Sequence, residues 1–151
     1  MLGPRQTGKR TLIRSLLSPA KFWSINLLLS DQYVKYSKAP EQFRLEAASK
    51  ITEEKIDCVF IDEIQRVPAL LNEIHHLIET YPKCQFIMTG SSARKIKRGT
   101  ANLLAGRAVQ RHLHPLLYQE LRGKNFQLED RLVFGTLPAL EGRTMHGARI
   151  F

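Results

Sequence analysis

The stretch Gly3-Pro4-Arg5-Gln6-Thr7-Gly8-Lys9 has residue types and spacing that can hold phosphate. Its two glycines allow a tight turn and a close backbone approach, so that successive N–H groups face an anion. Lys9 adds a point charge suited to β- and γ-phosphates, and a helix starting there directs its positive end at them. Gly, four residues, Gly-Lys is the spacing of a phosphate-binding loop; a flexible glycine-rich lead into a helix reads the same way. The candidate nucleotide-binding residues are Gly3, Pro4, Arg5, Gln6, Thr7, Gly8, Lys9, Arg10 and Thr11. One of them departs from the pattern. The residue after the lysine should carry a hydroxyl for Mg²⁺, and here it is Arg10, with Thr11 one place later. One step along a helix turns a side chain by about 100°, so Thr11 does not inherit the metal position. Arg10 either adds positive charge for the phosphates or leaves the site damaged.

A second group with chemical potential is Val59-Phe60-Ile61-Asp62-Glu63. The apolar run buries a strand, and Asp62 emerges where Mg²⁺ would lie. Glu63 is placed to orient and deprotonate an attacking water. The competing reading is a strand end followed by a solvated acidic turn. Thr89, Ser91 and Ser92 end the next strand, where a hydroxyl senses a γ-phosphate or serves as an ordinary turn residue. Arg107 is a candidate for stabilising charge on a transferring phosphoryl group, within one subunit or across to a second copy, which makes self-association an expectation; a plain surface arginine is the alternative. The histidines at 75, 76, 112 and 114 lack a metalloprotease or zinc pattern.

These residues need elements to position them. Lys9 to Ser18 reads as a helix with Leu12, Ile13, Leu16 and Leu17 on one face, stopped by Pro19. Phe22 to Leu28 reads as a strand, 31 to 37 as a loop or short helical turn, and Pro40 opens a helix to about Lys50. Asp57 to Ile61 has the continuous apolar character of a central parallel strand. Pro68 begins an amphipathic helix carrying Leu70, Leu71, Ile74, Leu77, Ile78 and Tyr81, and Pro82 ends it. Cys84 to Met88 is a further strand and 108 to 113 another; 116 to 122 and 127 to 134 read as helical. Strands alternating with helices predict an α/β fold with a parallel sheet, whose ligands sit at the carboxyl ends of the strands. The loop, Asp62-Glu63 and Thr89 to Ser91 all fall on that edge. Only Met1 and Leu2 stand where a strand should lead into the loop, so the first strand reads as missing. Residues 1–140 are expected to form one core and 141–151 an unstructured tail.

Bulk properties agree. A chain of 151 residues suffices for one domain with one core. A net charge of +9 favours anionic partners: nucleotide, or nucleic acid through the basic run Arg94-Lys95-Ile96-Lys97-Arg98, although few aromatic residues accompany it. The two cysteines, Cys58 and Cys84, lie in apolar runs and are expected to be reduced thiols. No membrane span or signal peptide is read, and a cytoplasmic location is the expectation.

Taken in order, Gly-Pro-Arg-Gln-Thr-Gly-Lys, Phe-Ile-Asp-Glu-Ile-Gln-Arg-Val-Pro, Met-Thr-Gly-Ser-Ser-Ala-Arg, Leu-Leu-Ala-Gly-Arg-Ala and His-Pro-Leu resemble a prokaryotic family of AAA+-superfamily ATPases. The match runs from Gly3 to about Pro138. The resemblance implies a three-layer P-loop NTPase core with ATP as ligand. It puts Gly3 to Lys9 on the phosphate loop, Asp62 and Glu63 on the metal and water positions, Ser91 in the sensor region and Arg107 in the family's Gly-Arg pair. Arg10, the short lead into the loop and the lack of a C-terminal domain after Thr136-Leu137-Pro138 are departures from it. Mg²⁺-dependent hydrolysis of ATP is the activity it implies. A module that binds nucleotide without turnover, and a basic nucleic-acid-binding module, are the alternatives.

Overall fold

The computed structural model describes residues 1–17, 21–91, 108–121 and 135–138. Three strands, β1 (Phe22–Asn26), β2 (Cys58–Asp62) and β3 (Gln85–Met88), form a parallel sheet in the order β1-β2-β3. Around it lie α1 (Lys9–Leu17), α2 (Ser30–Lys38), α3 (Pro40–Thr52), α4 (Leu70–Thr80) and the short α5 (Tyr118–Leu121). The α/β class with a parallel sheet is therefore present as the alternating pattern predicts. Every residue of β2 is buried, because it lies between two strands and beneath helices on both faces.

Strand parity sorts the core into two layers. Cys58 and Phe60 point to one face and pack with Ile13 and Leu17 of α1. Val59 and Ile61 point to the other and pack with Phe43 and Ala47 of α3 and with Leu70, Leu71, Ile74 and Leu77 of α4. On α1 the buried stripe is narrower than the sequence predicts. Ile13 and Leu17, four apart, are buried, whereas Leu12 and Leu16 are exposed. A single helix lying across one sheet face covers one row of side chains, and the neighbouring row turns outward. The thiols of Cys58 and Cys84 are free, and burial pushes both up to about 11, which keeps them neutral.

The segment 31 to 37, expected as a loop or short helical turn, lies within the nine-residue helix α2. Tertiary docking accounts for the difference, since a short polar helix is marginal alone. Tyr36 is buried edge-on to Phe43 at a centroid distance of 5.9 Å, and its hydroxyl donates to Glu46 Oε2 at 3.0 Å. Pro40 opens α3 at a position where a missing N–H costs nothing.

The lead into the phosphate loop is held between two neighbours. Leu2 makes single parallel bridges to Gly90 on one side and His112 on the other. Its N–H donates to the Arg111 carbonyl at 2.8 Å, and its own carbonyl accepts from the N–H of Leu113 at 2.8 Å. The Gly90 N–H donates to the Met1 carbonyl at 3.2 Å. Residues 108 to 113, expected as a strand, contribute this one bridge. Leu113 also explains Gly3. A Cβ at Gly3 would stand 2.1 Å from the Leu113 carbonyl oxygen, and Gly3 has φ of +157°. Backbone cannot yield as a side chain does, so Gly3→Ala is expected to cost about 1–3 kcal/mol of stability. Urea unfolding checks this, with a wild-type midpoint counting against the contact.

Candidate functional site: the phosphate loop and the acidic pair

Gly8 has φ of +81° with nothing but Pro138 near its missing Cβ, at 3.9 Å, so its role is conformational. Gln6 also adopts a left-handed backbone, φ 64°, which for a residue with a side chain costs on the order of 1 kcal/mol. The loop is stiffened from inside. The Thr7 hydroxyl, on a buried side chain, donates to the Pro4 carbonyl at 3.0 Å. The Lys9 ammonium donates to the carbonyls of Gly3 at 2.9 Å and Pro4 at 2.5 Å. Lys9 is only 6% exposed. Burial lowers its pKa below the ordinary lysine value, while the charges of Glu63 and Asp62 work in the opposite direction. Pro4, Arg5, Gln6 and Thr11 are exposed, and α1 begins with the Leu12 N–H donating to the Gly8 carbonyl at 2.9 Å.

Asp62 ends β2 with the same parity as Cys58 and Phe60, which puts it on the α1 side of the sheet. There it meets Arg10, whose Nε lies 4.0 Å from Asp62 Oδ2. Its other oxygen, Oδ1, accepts the hydroxyl of fully buried Thr89 at the end of β3. Glu63 follows in a left-handed conformation, φ 59° and ψ 46°. Two bonds to Thr89 hold this turn: the Glu63 N–H donates to Thr89 Oγ1 at 3.3 Å, and the Ile64 N–H donates to the Thr89 carbonyl at 3.0 Å. The turn swings the Glu63 side chain to Ser91, whose hydroxyl donates to Glu63 Oε2 at 3.0 Å. The Gln65 amide donates to the same carboxylate oxygen and to Ser91 Oγ, the latter at 3.1 Å. A glycine-and-lysine loop thus faces two carboxylates across the carboxyl edge of a parallel sheet.

A sequence profile described as "AAA domain" matches residues 1–122. The chain belongs to the AAA domain family. Membership places it among nucleotide-binding, ATPase-like modules. A protein of Haemophilus influenzae that bears the description "Uncharacterized protein" is 30% identical over 141 residues, covering 87% of this chain. The chain spans 34% of that relative's length.

Five polar or charged residues of the AAA domain are buried among the described residues: Thr7, Lys9, Asn26, Asp62 and Thr89. All belong to the loop or to the carboxyl ends of strands, where desolvated polar groups need specific partners. Asn26 was not singled out by sequence reasoning. It pairs in register with Asp62, and its Oδ1 accepts the Leu28 N–H at 3.0 Å. A polar residue closing an apolar strand beside Asp62 was the available signal. Gln65 was likewise not singled out. Its carbonyl Oε1 is buried without a hydrogen-bond partner among the described residues, and it shares an open cleft of about 660 Å³ with Arg5, Glu63 and Ser91. Arg107, Ser92, the basic run 94–98, the expected helix 127–134 and the tail 141–151 lie outside the described residues. No helix among the described residues is long and apolar enough to cross a membrane.

Proposed function

We propose that this AAA domain binds ATP on Gly3–Lys9 and hydrolyses its β–γ bond. One observation supports the reading above the others: a buried ammonium, Lys9, sits in a glycine-lined loop within the electrostatic reach of Glu63 and Asp62. Such a cation is costly where it is, and a polyphosphate would reward it. In the reaction the oxygen of a water attacks the γ-phosphorus. The bond to the β–γ bridging oxygen breaks, and its electron pair leaves with ADP. Glu63 receives the water's proton, and Lys9 stabilises charge on the phosphoryl oxygens.

The residues present do not fit Mg²⁺ as phosphate loops ordinarily hold it. No hydroxyl follows Lys9, and Thr11 is exposed on α1. Asp62 is the carboxylate that would face the ion, yet one of its oxygens accepts from Thr89 and the other faces Arg10. The same observation favours a second reading, binding without turnover.

Calorimetry with ATP and a phosphate-release assay on the same preparation separate the two. Saturable binding with formation of ADP and phosphate is the expected result. Binding with no phosphate released leaves the second reading, and failure to bind ATP removes both.

A further inference from the structure

We propose that the Arg10 guanidinium takes the place of the divalent cation, so that this domain binds nucleoside triphosphate without metal; the inference rests on the ATP-binding reading above. Arg10 occupies the chain position of the metal-binding hydroxyl, directly after the lysine. The fold then brings it to the carboxylate that a metal would share, with Nε 4.0 Å from Asp62 Oδ2. Asp62 Oδ1 is already the acceptor for the Thr89 hydroxyl. Both carboxylate oxygens therefore face donors from the chain itself. A divalent ion placed there would meet the guanidinium's positive charge at short range, and the two cations would compete for one acidic group.

The side chain is also suited to the ligand. Arg10 is 43% exposed at its side chain, whereas Asp62 is 9% exposed. The acid is fixed and the guanidinium is free to turn. An ion pair that open is weak on its own, which leaves the guanidinium available to an incoming anion. A planar guanidinium with several donors grips phosphate oxygens in pairs. Lys9 and Arg10 would supply the two cationic contacts that other loops divide between lysine and metal. Asp62 would then position Arg10 rather than bind an ion.

The test is ATP affinity of the intact chain by calorimetry, in excess chelator and in excess Mg²⁺. The two dissociation constants of the unmodified protein are expected to agree within about threefold. Arg10→Ser restores the hydroxyl and removes the charge. It is expected to weaken ATP about tenfold or more in chelator and to recover when Mg²⁺ is added. Arg10→Gln, which keeps most of the length without charge or hydroxyl, is expected to weaken ATP in both conditions. The half-exposed position keeps either change compatible with folding. A tenfold or greater loss of affinity by the unmodified protein on chelation overturns the inference, as does an Arg10→Ser protein that binds ATP normally in chelator. Absence of ATP binding under both conditions instead overturns the ATP-binding reading, and this inference with it.

Discussion

Lys9→Met is expected to abolish the stabilisation of this domain by ATP while leaving the free protein as stable as before. The lysine ammonium is buried and satisfied by two loop carbonyls. Desolvation lowers its pKa below the usual lysine value. The sign follows. A base whose folded pKa is depressed opposes folding while it is charged, and the opposition fades as pH rises through the folded value. Removing it relieves that opposition, while the Gly3 and Pro4 carbonyls lose a donor, so the two changes offset and the melting temperature at neutral pH is expected to change little. Methionine follows the same path with an apolar chain of similar length. For ATP the effect is large, because a charge-assisted contact to phosphate disappears from a desolvated site, and a loss of about 100-fold or more in affinity is expected. With ATP at about 100 times its dissociation constant, linkage gives the unmodified protein about 2.7 kcal/mol, several degrees in melting temperature. Thermal denaturation with and without ATP measures both quantities. An ATP-induced shift that survives in Lys9→Met means that the loop does not carry the ligand.

Glu63→Gln should separate binding from chemistry. The variant keeps the size of the side chain and an acceptor for Ser91, so the left-handed turn at φ 59° and its bonds to Thr89 persist. What it lacks is a group that takes the water's proton. Phosphate release is expected to fall by about 10²–10⁴, with ATP affinity within about threefold of the unmodified protein. Turnover at the original rate would exclude Glu63 as the base. The arrangement around it sharpens the expectation. Ser91 and Gln65 both donate to one carboxylate oxygen, Oε2, which fixes the rotation of the group. A carboxylate anchored at one oxygen presents the other in a repeatable direction, as general-base catalysis requires.

Much of this is legible in the sequence. Helical periodicity from Leu70 to Tyr81 and the apolar run into Asp62 follow from side-chain spacing alone, because period and burial are local properties of each element. Alternation of strand and helix then implied a parallel sheet and put the loop and the acidic pair on one edge. The faint signals were those whose meaning depends on docking. The polar segment of α2 carries little helical pattern, yet Tyr36 fixes it against Phe43. Leu12 and Leu16 share the sequence pattern of Ile13 and Leu17 but not their burial, since the sheet covers one row of α1 and not the next.

The sequence by itself determined the class of the fold, the glycine-and-lysine loop, the acidic pair and the presence of Arg10 where a hydroxyl is expected. Each is written in residue type and short spacing. Tertiary structure alone decided which side chains meet: Arg10 with Asp62, Thr89 with Asp62, Gln65 and Ser91 with Glu63, and Gly3 with the Leu113 backbone. These partners are brought together by strand register and by the parity that aims a side chain at one face of the sheet. A register is a relation between two segments, set by their joint packing, so neither segment encodes it alone.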